Sequence, residues 1–179
     1  MTHEIVMAGF GGQGVMLMGQ LMTYAGMFEG KHVSWIPSYG PEMRGGTANC
    51  SVIISDEPVG APIVTEPNTV VAMNLPSLDK FEAALQPGGN LIINSSLIER
   101  SSKRKDINVY LVPSNEIANE LGNAKVANMI VLGAIIAATK AVKQESVLKA
   151  FAKMFAKKPG LLAINEKAIK RGAALVDGK

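Results

Sequence analysis

Ile5-Val6-Met7-Ala8-Gly9-Phe10-Gly11-Gly12-Gln13-Gly14 decides the fold, because a short apolar run stops at a glycine cluster and passes into the Met- and Leu-rich segment Val15 to Phe28. Four apolar residues ended by glycine read as a buried strand. The segment that follows reads as a buried helix. Its 14 residues span roughly 21 Å at 1.5 Å per residue, enough to cross a sheet face. Gly9, Gly11 and Gly14 match G-x-G-x-x-G with a strand before and a helix after. Glycines let the backbone turn tightly and approach a ligand, and the helix start offers free N–H groups to an anion. Gln13 is placed either to hydrogen-bond a ligand or to cap.

Working outward, Gly19 and Gly26 lie inside the helix and predict close packing against it. Gly30 marks its stop. Val33 to Ile36, Ala48 to Ser55, Thr69 to Met73, Leu91 to Ile93 and Val109 to Val112 read as further strands. A helix is expected over Ser77 to Leu85, an exposed charged loop over Glu99 to Asp106, and helix almost throughout from Ser114 on. Strands alternating with helices predict one α/β domain over residues 1–179, with a largely parallel sheet, helices on both faces and a helical C-terminal third. In such sheets ligands sit in the loops after the strands. That directs attention to residues 9–14 and 37–47.

Composition agrees with one packed domain. The 179 residues are 47% hydrophobic and 18% charged but only 5% aromatic, with 10 Met, so the core is aliphatic with methionine filler. Charge is uneven. Residues 1–90 hold 3 Lys and Arg against 8 Asp and Glu, residues 91–179 hold 15 against 7, giving −5 and +8. Such asymmetry marks either solvated helix faces or a docking surface. One cysteine excludes an internal disulfide framework and an iron–sulfur cluster ligated by this chain alone. His3 and His32 leave little for a zinc site or a catalytic triad. The N-terminus carries no basic and long apolar leader, and Val126 to Thr139 is too short to span a bilayer, which takes roughly 20 residues. A cytoplasmic, membrane-free protein is expected.

A nicotinamide dinucleotide would want an acid at the end of the second strand, some 20 residues on. Here that strand ends Trp35-Ile36-Pro37-Ser38-Tyr39 without one. A phosphate or carboxylate near Gly11 to Gly14, or a ligand-free tight turn, fits better. The stretch Ser38-Tyr39-Gly40-Pro41-Glu42-Met43-Arg44-Gly45-Gly46-Thr47 packs hydroxyls, a carboxylate and a guanidinium between glycines and prolines. Arg44 suits bidentate anion binding, unless Glu42 pairs with it locally. Cys50 reads as a buried structural thiol. On the helix at residues 147–155, Val147, Leu148, Phe151, Met154 and Phe155 form an apolar stripe opposite Lys149, Lys153 and Lys157. Those lysines are solvated or face a partner, and the lack of interleaved aromatics speaks against nucleic acid. Val126 to Thr139 is apolar enough to be central to the core or shared with another subunit. Asn128 within it is expected to satisfy a buried backbone group or a loop, and Gly133 to admit a neighbouring backbone.

Gly9 to Val15 together with Ser38 to Cys50 resembles the gamma subunit of 2-oxoacid:ferredoxin (acceptor) oxidoreductases of the 2-oxoglutarate, 2-ketoisovalerate or pyruvate type. Asn128 to Gly133 and Asn165 to Gly172 are similar to later pieces of that family. The resemblance implies a Rossmann-like domain that is inactive alone. It implies a hetero-oligomeric complex with alpha, beta and ferredoxin-like delta subunits that oxidises a 2-oxoacid to an acyl-CoA and CO2 and reduces ferredoxin. Thiamine diphosphate with Mg, and the iron–sulfur clusters, would sit on the other chains, with coenzyme A passing beside this one. The substrate favoured by the resemblance is 2-oxoglutarate. Gly11, Gly12, Gln13, Gly14, Ser38, Tyr39, Gly40, Glu42, Arg44, Gly45, Gly46 and Thr47 are assigned to a face turned toward the cofactors. No catalytic residue or metal ligand is assigned, and the isolated chain could form a homodimer. Two other readings stay open: a stand-alone nucleotide- or anion-binding module, and a purely structural subunit.

Overall fold

The computed structural model describes residues 1–38 and 47–178. The opening apolar run is β1 (Thr2–Phe10), and the Met-rich segment is α1 (Val15–Phe28). Val15, Met18, Leu21, Met22 and Ala25 form one buried stripe of α1 at helical spacing. The helix stops where Glu29 donates its N–H to the Ala25 and Gly26 carbonyls and Gly30 takes φ 73°. β2 (His32–Ser38) and β3 (Thr47–Ser55) follow. Next come β4 (Thr69–Ala72), α2 (Leu75–Phe81), β5 (Asn90–Asn94) and β6 (Asn108–Val112). The C-terminal third is helical: α3 (Ser114–Glu120), α4 (Ala127–Thr139), α5 (Gln144–Met154) and α6 (Leu162–Asp177). The sequence placed the second helix over Ser77 to Leu85. It starts earlier because the Asn74 carboxamide oxygen accepts the Ser77 N–H at 2.9 Å and Pro76 fits the first turn.

The sheet order is β2-β3-β1-β4-β5-β6. β1, β4, β5 and β6 run parallel, while β3 is antiparallel to both β1 and β2. The sheet is thus mixed, with a parallel Rossmann-like half and a hairpin-like extension beyond β1. The short connection from β2 to β3 explains the extension, since a parallel neighbour would need a crossover of a dozen or more residues.

Helices cover the two faces unequally. Alternation sends Val71 and Ile92 into a large cluster with α1, α4, α5 and α6, and sends Val70, Ala72, Leu91 and Ile93 into a smaller one with Leu78 of α2. α4 is buried all round except at Ala138, so its apolar character is spent inside this chain. It packs most closely on α6 because Gly133 and Gly172 leave no side chain between the backbones. A Cβ on Gly133 would meet the Ile169 carbonyl, and one on Gly172 the Ile130 carbonyl. Gly19 and Gly26 instead make room on α1 for side chains, those of Cys50 and Trp35 in the first case and of Val33 in the second. Successive connections leave β1 toward the large cluster through α1 and β4 toward the small one through α2. The loops after β1 and β4 therefore part, and the crevice between them is the place where such sheets take ligands.

Candidate functional site

The loop after β1 is shaped by two residues in the left-handed region, Gly12 (φ 90°) and Gly14 (φ 75°). A non-glycine residue would be strained at either. The turn closes with the Gln13 N–H donating to the Phe10 carbonyl at 3.2 Å. Gln13 then fixes the loop through its side chain. Oε1 accepts the Phe10 N–H at 2.6 Å, and Nε2 donates to the Met73 carbonyl at 3.2 Å. The residue caps nothing and clamps the end of β1 to the end of β4. Gly14 precedes α1 without a side-chain cap, which leaves the first N–H groups of a 14-residue helix open. From the other side Asn128 of α4 donates Nδ2 to the Gly14 carbonyl at 3.4 Å. Asn128 thus satisfies a loop, as its place in an apolar helix predicts.

These groups line a cavity of about 170 Å³. Gly12, Gln13, Gly14 and Met73 line it together with Asn115, Lys125, Asn128 and the small Ala124 and Ala127. Asn115 is held by Asn94, whose Nδ2 donates to its Oδ1 at 2.9 Å, and by Ser96, whose Oγ accepts its N–H at 3.1 Å. Lys125 is exposed and makes no ion pair among the described residues. An ammonium without an ion pair among the described residues and three carboxamides line a neutral-to-positive basin suited to an anionic group. Its volume lies below the roughly 300–1,000 Å³ of cavities that take whole drug-sized ligands. By itself the basin has room for a group the size of a phosphate or carboxylate. A second cavity of about 440 Å³ adjoins the same loop, lined by Phe10, Gly11, Val15, Met16, Gln20 and Ala48 among others.

The sequence-assigned residues separate into three groups. Gly11, Gly12, Gln13 and Gly14 come together with Thr47, which lies opposite Phe10 in the β1–β3 register. Ser38 pairs with Asn49 one strand farther out, exposed at the end of β2. Tyr39, Gly40, Glu42, Arg44, Gly45 and Gly46 lie outside the described residues. The sequence did not single out Asn115 or Lys125. Neither stands in a motif, and both arrive through the fold of α3 and the turn before α4.

Cys50 is fully buried, and burial pushes its thiol from the ordinary 9.0 up to about 11, against the Trp35 indole beside it. It remains a neutral thiol at physiological pH, unfit as a cluster ligand or nucleophile. Among the described residues no group of three or more His, Cys, Asp or Glu side chains could hold a metal ion, and no helix is long and apolar enough to cross a membrane.

A Rossmann-like domain with a glycine loop and an anion basin at its switch point is the class that fold and site define. Residues 4–175 match the model of the family described as pyruvate ferredoxin/flavodoxin oxidoreductase. The chain belongs to that family, as the gamma-type domain of the 2-oxoacid:ferredoxin oxidoreductases. It is 41% identical over 171 residues to ketoisovalerate oxidoreductase subunit VorA of Methanothermobacter marburgensis, covering 95% of this chain and 36% of that one. It is 35% identical to 2-oxoglutarate synthase subunit KorC of Methanocaldococcus jannaschii, covering 84% and 82%. The chain thus spans about a third of the length of the VorA relatives it matches. Among solved structures it is similar to the keto/oxoacid ferredoxin oxidoreductase gamma subunit from Geobacter sulfurreducens, with a TM-score of 0.84, 31% identity and 99% of both chains covered. The fold also recurs in 99% of this chain and 31% of the 2-oxoglutarate:ferredoxin oxidoreductase chain from Magnetococcus marinus, with a TM-score of 0.91 at 23% identity.

Proposed function

We propose that this chain is the gamma subunit of a multi-subunit 2-oxoacid:ferredoxin oxidoreductase in the cytoplasm, inactive alone, and that its work in the complex is to bind and orient an anionic part of coenzyme A. The alpha, beta and ferredoxin-like delta subunits would carry thiamine diphosphate, Mg and the iron–sulfur clusters. Coenzyme A, when bound, supplies the thiol that takes up the acyl group. The observation that carries the reading is the basin between Gly12–Gly14, Lys125 and Asn128. Its ammonium, with the uncapped start of α1 on the adjoining cavity, favours a phosphate. Asn128 and Gln13 hold the loop in shape before any ligand arrives, so little is lost in ordering it.

Ser38, Tyr39, Glu42 and Arg44, with the glycines Gly40, Gly45 and Gly46, are proposed to extend this face, Arg44 as the second anion contact. In the assembled complex Arg44→Ala is expected to lower turnover with coenzyme A about tenfold. Unchanged steady-state kinetics in an intact complex would remove Arg44 from this role. Lys125→Ala is expected to raise the KM for coenzyme A several-fold, by about 1 kcal/mol, with kcat nearly unchanged. An unaltered KM would empty the basin of its function.

The 2-oxoacid in this proposal is 2-oxoglutarate, supported by the KorC relative whose whole length is nearly matched. The higher identity to VorA favours a branched-chain 2-oxoacid as the second reading. A panel of 2-oxoacids assayed with one purified complex separates them. A stand-alone dinucleotide module is tested by a thermal shift with NADH, which raises the melting temperature of any protein that binds it in the native state. No shift at about millimolar NADH is expected.

A further inference from the structure

The two faces of the sheet are unequally clothed. Among the described residues, five helices lie on one and only the seven-residue α2, with the short helical turn after it, on the other. At the carboxyl end of the thinly covered face, large apolar side chains stand in solvent. They are Phe10 (40% exposed) at the end of β1, Leu75 (42%) just after β4, Leu97 (49%) in the turn after β5, and Leu111 (46%) near the end of β6. These elements are consecutive in the sheet. At about 4.8 Å per strand the four residues form an arc roughly 14 Å across. Strand alternation sends Phe10 away from Ile5 and Met7, which belong to the large cluster. Leu111 sits opposite Ile93 of the small cluster. Scattered apolar residues need no explanation, but an apolar row along one edge marks an interaction surface.

We infer that the arc Phe10-Leu75-Leu97-Leu111 is the seat of a different protein chain, the subunit that corresponds to the remainder of the longer relatives, and that this chain closes the ligand basin. The inference rests on the function proposed above and adds the surface and its occupant. Two observations choose that occupant. The same domain is 99% of one relative's chain and 31% of another's, so it occurs both as a separate chain and joined to some two thirds of further polypeptide. Where it is separate, contacts that a covalent link would maintain must come from surface burial alone. The arc also abuts the glycine loop, since Phe10 borders the second cavity and is hydrogen-bonded to Gln13. A second copy seated here would set one glycine loop against another and shut both basins to any third component.

The test uses the purified chain and the thiamine diphosphate-binding subunits of its complex, co-expressed and separately. Light scattering of the isolated chain is expected to report a monomer. Leu75→Glu and Leu97→Glu should leave its melting temperature unchanged, because both side chains already stand in solvent. Each should weaken assembly with the thiamine-binding subunits about tenfold or more. Met27→Glu, an exposed position at the far end of α1, should assemble as wild type. Leu75→Glu and Leu97→Glu variants that assemble normally would overturn the inference. So would an isolated homodimer that Leu97→Glu dissociates, which would make a second copy the occupant. A wild-type chain that binds no thiamine-binding subunit would overturn the function proposed above and the occupant with it, a result distinct from variants that still assemble.

Discussion

Gly14 carries more constraint than any other residue at the site. Its φ is 75°, and a Cβ there would run into the Asn128 carboxamide. Gly14→Ala therefore combines backbone strain with loss of the loop-to-α4 tether. A loss of about 2 kcal/mol of stability is expected in denaturant titration, and a loss near zero would mean that the loop relaxes freely. Cys50 makes a prediction of opposite kind. Its folded pKa of about 11 stands above the ordinary 9.0, so the native state holds the proton more tightly than the unfolded one. Stability contributed by the neutral thiol is complete below pH 9 and is lost as pH rises toward 11, by about 3 kcal/mol in all. Cys50→Ser or Cys50→Ala removes that alkaline slope, readable as the pH dependence of the unfolding midpoint between 9 and 11. The residue types of the glycine loop were legible in sequence because a G-x-G-x-x-G spacing has few physical uses. The true job of Gln13 was not, because Met73 lies 60 positions away.

At the scale of elements, the apolar runs and their glycine stops located the strands, since a period of two or a continuous buried run leaves a mark in sequence. The antiparallel β3 left no mark of its direction. Only the pairing of Phe10 with Thr47 through Thr2 with Ser55 reveals it. The sequence left α4 as either core or subunit interface, and its burial by α3, α6, β5 and β6 decides for core. The charged stretch Glu99 to Asp106 conceals structure as well. Arg104 donates to the Glu82 and Leu85 carbonyls at 3.0 and 2.7 Å and so caps the short helical turn after α2. No local signal foretold this, since the partners lie about twenty residues apart. Helix ends supply a further prediction. Lys140 closes α4 with φ 54°, a conformation that glycine adopts without strain. Lys140→Gly should raise stability by about 0.5–1 kcal/mol in a melting experiment. Its ion pair with Asp177 at 3.5 Å is exposed on both sides and worth little. Gly172→Ala should do the reverse. It forces α6 off Ile130, and overpacking of this kind costs about 1–3 kcal/mol.

On the scale of the whole molecule, the fold sets out a division of labour. The large cluster gives rigidity, the parted loops after β1 and β4 give a basin, and the thinly covered face is the inferred seat of another chain. In the function proposed above, this domain positions what other chains transform. The measurement that tests this most directly is purification of the tagged chain under anaerobic conditions, followed by 2-oxoacid-dependent viologen reduction with and without coenzyme A. The account predicts that thiamine-binding and iron–sulfur subunits co-purify and that reduction depends on one 2-oxoacid and on coenzyme A. A chain that purifies alone, without activity on any 2-oxoacid, would contradict it.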